Sequence, residues 1–598
     1  MTRTLEHFPN LVTMFFTRAR EKGEAPFLWA KQGGQWVPTS WAEAARQVAS
    51  LATALKAIGL RPGERVMLVS ENRPEWCISD LAIMAAGCVT VPTYTTNTER
   101  DHAHILENSG ACAVIVSTSK LARVLMPAVL RSSARVVIGI DEMRPGQTGQ
   151  VDYHDWRALI AAHPGDVEAV AASVTAERGD LACIIYTSGT GGAPRGVMQH
   201  HGAILHNVEG ASAVISEDFG WDDDEIFLSF LPLSHAYEHT GGQHFPIGLG
   251  AQIYYAEGLD KLASNIEETR PTIMVVVPRL FEVLRTRITK AIEKQGRIST
   301  FLLDQAVRLG GKKAAGGRIG IADQPAKLLV NALFKPKIGK RFGGRIKAMV
   351  SGGAPLNPEV GQFFESIGLT FLQGYGQTEA APVISCNRPS VGLKHDTVGP
   401  PLKNTEVRIA EDGEILVKGE LVMKGYWRNE AETERVLKDG WLHTGDIGLI
   451  DEKGRIKITD RKKDIIVNDK GDNVAPQKVE GMLTLQPEIL QAMISGDRKP
   501  YMVAVIVPDP EWTQEWCAHS GTPCDFVRLG GDHDFKAAIG HAVERVNREL
   551  SQIERIRRFI LADEPFTIEN EQLTPSLKIR RHVLREVYGA RLDALYRQ

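Results

Sequence analysis

Apolar positions along the first part of the chain keep two alternating rhythms. Residues 11–19 and 41–58 carry them at helical spacing, and the second stretch stops at Gly59. Short unbroken runs at 65–70, 88–92, 113–116 and 135–140 read instead as buried strands, with helical patterns at 80–86, 102–109 and 121–130 between them. Strand alternating with helix argues for a parallel, doubly wound sheet, whose ligands sit beyond the carboxyl ends of the strands. Further strand-like runs lie at 181–186, 225–231, 271–277, 345–350 and 369–372. Residues 413–419 read as a β-hairpin arm, and Tyr426-Trp427 as an exposed aromatic turn. A strand at 502–508 and a helix at 534–553 belong to a smaller α/β unit.

Composition changes this picture little. A chain of 598 residues exceeds one compact core, so two or more domains are expected. A net charge of −3 gives no case for nucleic acid. No apolar run is long enough to span a bilayer, and residues 1–7 lack a secretory apolar core. The seven cysteines form no Cys-x-x-Cys pair, which argues against zinc and against a disulfide framework. Cys517 and Cys524, with His519 nearby, read as loop residues, and the expected location is the cytoplasm. Residues 285–347 stand apart, with sixteen Lys/Arg against three acids. Two readings stay open for them: a solvated helical excursion, or contact with anionic lipid or the phosphates of coenzyme A. Leu328 to Phe334, beside Lys335, Lys337 and Lys340, fits a surface-lying amphipathic segment.

The chemistry concentrates after the strand at 181–186. Tyr186-Thr187-Ser188-Gly189-Thr190-Gly191-Gly192-Ala193-Pro194-Arg195-Gly196 joins hydroxyl donors, glycines that let the backbone wrap an anion, and a permanent cation. That is a polyphosphate cradle, and it is not the Gly-x-x-x-x-Gly-Lys-Ser/Thr loop. The adjacent Gln199, His200 and His201 suit structure or solvent better than a metal. His235 and Tyr237 follow a strand end and can line a pocket. Gly352-Gly353-Ala354 permits close approach to a flat base. In Gln373-Gly374-Tyr375-Gly376-Gln377-Thr378-Glu379, Tyr375 offers a stacking face, Thr378 a hydroxyl and Glu379 a hard oxygen for Mg²⁺. Asp446, in a turn, can accept two ribose hydroxyls.

These segments, in this order, resemble those of the acyl-adenylate-forming (AMP-binding) enzymes, over about residues 10 to 585. The 186–196 segment is similar to the family's YTSGTTGxPKG loop, with Gly191 in place of Thr and Arg195 in place of Lys. The LPLSH-x-x-E segment around His235, the VPR segment at 277–279 and Leu573-Thr574-Pro575-Ser576-Leu577-Lys578 look like the long-chain fatty-acid–CoA ligases in particular, although Leu280 separates Arg279 from Phe281. The resemblance implies an α/β fold. A large N-terminal domain (1–460) has stacked doubly wound sheets and a β-hairpin or barrel part, and a small mobile α/β C-terminal domain (461–598) follows. It implies ATP, Mg²⁺ and coenzyme A as reactants. Thr187, Ser188, Gly189, Thr190, Gly191 and Arg195 would hold phosphates, and Gly353, Ala354, Gln373, Gly374, Tyr375, Gly376 and Thr378 the adenine and α-phosphate. Asp446 and Arg461 would hold the ribose, Glu379 the metal, and His235 and Tyr237 the acyl pocket. Lys463, or else Asp464, would be the hinge, and Lys578 the adenylation residue, with Thr190, His235 and Glu379 also in the catalytic set. The implied activity is conversion of a long-chain fatty acid to acyl-AMP and then acyl-CoA. Rivals are an acyl-AMP ligase serving a carrier protein, a CoA ligase for another acid, and a non-catalytic nucleotide-binding homologue. Peripheral contact with lipid at the inner face of a membrane, and a homodimer, stay open.

Overall fold

The computed structural model describes residues 3–143, 150–187, 194–314, 316–354, 356–462, 465–470, 472–574 and 578–597. Among them, one sheet has seven strands, in the spatial order Asp152–Asp155, Val136–Gly139, Ala113–Val116, Arg65–Val69, Val89–Thr93, Leu181–Thr187 and Arg195–His200. All its pairings are parallel except the last. A second sheet has eight strands, ordered Val383–Cys386, Phe371–Gly376, Ala348–Ser351, Ile273–Val276, Ile226–Ser229, Gln252–Tyr255, Pro26–Gln32 and Gln35–Ser40. It is parallel inside and antiparallel at both edges.

The two sheets share one apolar core. Val66, Leu68 and Ile185 of the first and Phe27, Phe227 and Ile273 of the second belong to a single cluster, with helices Leu11–Lys22, Trp41–Ala57, Pro74–Ala85 and His201–Asp218 contributing to it. Helix His201–Asp218 is buried on nearly every side, as a helix between two layers must be. Helix Trp41–Ala57 is anchored by Trp41, stacked on Phe27 at 3.6 Å between ring centroids. His200, weighed above as a metal ligand, caps helix His201–Asp218 by accepting from the Ala203 amide.

A third, antiparallel sheet contains Glu406–Ile409, Glu414–Lys418, Leu437–Lys438, Trp441–Ile450 and Ile456–Arg461. Its cluster of Ile415, Val417, Leu442 and Ile456 also takes in Val197, Tyr375 and Tyr426. This corrects the expected exposed aromatic turn: Tyr426 is buried, and the Trp427 indole donates to the Asn108 carbonyl at 3.0 Å. Beyond Arg461 the chain builds a three-stranded sheet of Ile489–Ser495, Met502–Pro508 and Ile556–Leu561. Its central strand is buried on both faces. Met502, Ala504 and Ile506 meet helices Pro476–Leu483 and His533–Glu549, while Val503, Val505 and Val507 meet helix Arg581–Ala594. Cys517, expected in a loop, is buried in helix Pro510–Ser520.

The basic stretch is helical. Helices Pro278–Glu293 and Arg297–Ala314 are followed by a continuous helical run made of Gln324–Leu329, Val330–Phe334 and Lys335–Arg341. All three pack on the second sheet through Phe281, Ile292, Leu303, Ala306, Val330, Phe334 and Ile338.

The close pairing of Phe371–Gly376 with Val383–Cys386 sets a steric condition. A Cβ on Gly376 would stand 1.7 Å from the Pro382 carbonyl oxygen, whereas one on Gly374 meets nothing nearer than 3.6 Å. Gly376→Ala should therefore lower stability by about 1–3 kcal/mol, read as a shift in the urea unfolding midpoint, and Gly374→Ala by clearly less.

Candidate active site

Four neighbouring parallel strands of the second sheet discharge at one edge. Ile226–Ser229 leads to Leu231 and His235, Ile273–Val276 to Pro278, Ala348–Ser351 to Gly353 and Ala354, and Phe371–Gly376 carries Gln373, Gly374, Tyr375 and Gly376 and leads to Thr378. The first sheet brings Thr187 and Arg195 to the same place, the antiparallel sheet Asp446 and Arg461, and the C-terminal part Lys578. All of these line one cleft of about 3090 Å³. Ser188, Gly189, Thr190, Gly191 and Lys463 lie outside the described residues. Glu379 is half-buried next to Thr378 and is not part of the cleft wall.

His235 is set by its own backbone. Its Nδ1 accepts the Tyr237 amide at 3.1 Å, which leaves the ring proton on Nε2. Burial, and secondarily the Lys578 ammonium, hold this imidazole down at about 3, so it is neutral at physiological pH. Tyr94 stands beside it, ring centroids 6.4 Å apart. Tyr237 also lines the cleft, and its hydroxyl donates to the Val350 carbonyl at 2.8 Å. A Cβ on Gly352 would lie 2.8 Å from its ring, so the strand end can pass the tyrosine only as glycine. Gly353 then takes φ +83° and faces open space on the cleft side.

The segment after His235 is held from below. The Asp80 carboxylate, wholly buried, receives the Gln243 amide at 2.7 Å and lies 2.9 Å from His239 Nε2. Ser229 donates to Glu238 at 2.6 Å, and burial pushes the Glu238 carboxyl up to about 8.

A second constellation forms the cleft's far wall. The Tyr375 hydroxyl donates to Asp446 Oδ2 at 2.7 Å, and Arg461 Nε donates to Oδ1 at 2.9 Å. Asp446 and Arg461 are direct cross-strand partners. Burial and then the Asp446 charge push the Tyr375 phenol well above its ordinary range, so it stays a donor. The Tyr426 hydroxyl donates to Glu379 at 2.7 Å, and among the described residues no cation pairs with that carboxylate. Arg195, expected as a phosphate fork, is already in an ion pair with Glu432 and lies 4.6 Å over the Tyr426 ring. Lys578 is tied twice to Thr574: the Thr574 amide donates to the Lys578 carbonyl at 2.8 Å, and the Lys578 amide to Thr574 Oγ1 at 3.0 Å. Motif spacing did not reveal Tyr94, Tyr426 or Glu432.

The chain matches the family model described as AMP-binding enzyme over residues 15–427 and that of the AMP-binding enzyme C-terminal domain over residues 463–598. It is 34% identical to the long-chain-fatty-acid–CoA ligase FadD15 of Mycobacterium tuberculosis over 603 residues, covering 99% of this chain and 98% of that one. It is 30% identical to long-chain-fatty-acid–CoA ligase 6 of Mus musculus over 590 residues, covering 95% of this chain and 83% of that one. Among solved structures, the adenylation domain of a carboxylate reductase from Mycobacterium chelonae shares the fold with a TM-score of 0.78 at 23% identity, covering 99% of this chain and 92% of that one.

The Lys578 ammonium depresses His235 only while the two parts of the chain are closed on each other. Lys578→Ala should raise the His235 titration midpoint, followed by NMR on ¹³C-labelled histidine. An unmoved midpoint would mean that the two side chains do not meet in solution.

Proposed function

Because the chain belongs to the AMP-binding enzyme family, we propose that it activates a long-chain fatty acid with ATP and passes the acyl group to coenzyme A. The observation that carries this reading is the meeting of Lys578 with His235, Asp446 and Arg461 in one cleft, although they come from two separate sheets and the C-terminal part of the chain. The relatives' names supply the acyl class: those at 30–34% identity over nearly the whole chain are long-chain-fatty-acid–CoA ligases. Apolar side chains on the cleft wall, among them Phe230, Leu262, Leu280, Leu284 and Leu356, suit a hydrocarbon tail.

A carboxylate is a poor acyl donor because its leaving group would be oxide. In the proposed reaction one carboxylate oxygen attacks the α-phosphorus of ATP. The bond to the β-phosphate bridging oxygen breaks, giving acyl-AMP and pyrophosphate. His235 serves the attacking acid as a neutral donor through Nε2. It orients the carboxylate without protonating it, which only a depressed imidazole can do. Negative charge grows on the α-phosphate oxygens, and Lys578 is the preorganised cation that meets it. Thr187, Arg195 and residues 188–191 take the β- and γ-phosphates; for Arg195 this means exchanging Glu432 for phosphate. Gly353, Ala354, Gln373, Gly374, Tyr375, Gly376 and Thr378 border the adenine and α-phosphate, and Asp446 and Arg461 the ribose. Glu379 suits Mg²⁺, being a hard carboxylate whose described partner is a hydroxyl rather than a cation. When bound, the ion would neutralise phosphate charge. In the second half-reaction the coenzyme A thiol attacks the acyl carbon and AMP leaves. A swing of the C-terminal domain about Lys463 would withdraw Lys578 between the steps.

Pyrophosphate release should be strongest with acids of oleate length and weak with acetate, and acyl-CoA should appear only when coenzyme A is present. Release without acyl-CoA would favour a carrier-directed acyl-AMP ligase, and no release with any acid a non-catalytic nucleotide binder. Lys578→Ala should cut acyl-AMP formation roughly 10²- to 10³-fold yet spare thioester formation from supplied acyl-AMP. Equal loss in both assays would refute the division of roles.

A further inference from the structure

Helix Pro74–Ala85 and the turn that follows Glu238 meet in the protein interior. Asp80 comes from the helix, and His239, Gln243 and His244 come from the turn; all four are buried. Among the described residues, Asp80, His239 and His244 are the only group of three or more His, Cys, Asp or Glu whose potential ligand atoms all lie within 4.8 Å of one another. Asp80 Oδ2 stands 2.9 Å from His239 Nε2 and 3.5 Å from His244 Nε2, and the two ring nitrogens are 3.2 Å apart.

The backbone is shaped for this meeting. His239 and His244 are five residues apart, which on an α-helix would turn them about 140° away from each other. Here His239–His244 forms a turn of π-helix, whose wider repeat brings residues i and i+5 to the same side. The two rings meet edge to face, with centroids 4.6 Å apart.

Hydrogen bonds alone do not satisfy the triangle. A ring nitrogen either donates or accepts. Protons on both would set two N–H groups against each other, and a proton on one leaves an edge without a bond. Asp80 Oδ1 and both Nδ1 atoms have no hydrogen-bond partner among the described residues, and no described lysine or arginine pairs with the carboxylate. A carboxylate this deep calls for a cation. A divalent ion meets both conditions, because three lone pairs can converge on it and its charge balances Asp80. The point equidistant from the three ligand atoms lies about 1.9 Å from each, close to the length of a zinc–imidazole bond. Two imidazoles and a carboxylate suit zinc and its first-row neighbours; Mg²⁺ prefers oxygen alone. Gln243 Oε1, also buried and without a partner, or a water would complete the set.

We propose that Asp80, His239 and His244 bind one divalent transition-metal ion of the zinc class, as a structural site separate from the Mg²⁺ position at Glu379. The ion would pin helix Pro74–Ala85 to the segment that carries Tyr237 and Glu238. All three side chains are closed to solvent, so it enters as the chain folds and resists chelation afterwards. The site does not depend on the proposed activity, and its test reads metal rather than turnover.

The full-length chain is produced in zinc-supplemented medium, dialysed against EDTA and analysed by inductively coupled plasma mass spectrometry. One zinc per chain is expected. His244→Gln and Asp80→Asn should each lower the content roughly tenfold or more, since losing a ligand costs at least as much as losing an outer-shell partner. Chain produced in cobalt medium should show the intense visible bands of four-coordinate Co²⁺, without the near-ultraviolet charge-transfer band that a cysteine thiolate adds. That spectrum needs no variant, so it decides the matter if the substitutions prevent folding. A parent free of zinc, zinc that EDTA strips from the folded chain, equal content in parent and folded variants, or the weak bands of six-coordinate Co²⁺ would each overturn the proposal.

Discussion

Strand direction is the constraint on which the cleft depends. In a parallel sheet every carboxyl end lies on one edge, so the last residue of each strand is delivered to the same place whatever its position in the chain. His235, Gly353 and Tyr375 are far apart in sequence and adjacent in space for that reason alone. The steric details follow. Neighbouring strand ends crowd, and Gly352 and Gly376 stand where a Tyr237 ring or a Pro382 carbonyl leaves no room for a Cβ. The antiparallel edge strands Val383–Cys386 and Arg195–His200 end the run of parallel ends and close the site's flanks.

Much of this was legible because it is periodic. The alternation of strand and helix from residue 65 to 140, and the glycine- and hydroxyl-rich turns after later strands, are local signals that survive in the folded chain. What covers a given face is not local. Tyr426 follows a hairpin arm and looks exposed until the third sheet's core closes over it. Arg195 reads as a cation awaiting phosphate until Glu432, supplied by a distant helix, is found against it. In the basic stretch the sequence shows an amphipathic segment. Only the packing of helix Arg297–Ala314 decides that Val330 and Phe334 turn inward while Leu328 and Leu333 are left outside.

The buried polar groups show how burial sorts charge. His235 is neutral because the protein packed around it weakens its hydration and a lysine stands by. Glu238 shares the enclosure, and burial raises its carboxyl instead. Farther out, where each charge has a counter-ion or donor at hand, Asp446 and Arg461 pair directly.

The pair formed by Asp446 and Arg461 has a mechanical side. Arg461 ends the last strand of the third sheet, and the C-terminal part hangs from the residues just after it. The ladder therefore clamps the root of a lever, and the clamp's final rung is a carboxylate shared with the Tyr375 hydroxyl. On the proposed reading a ribose would draw on that same carboxylate. One side chain would then both grip the nucleotide and set the stiffness of the joint, so that a filled site and a loosened arm become a single event.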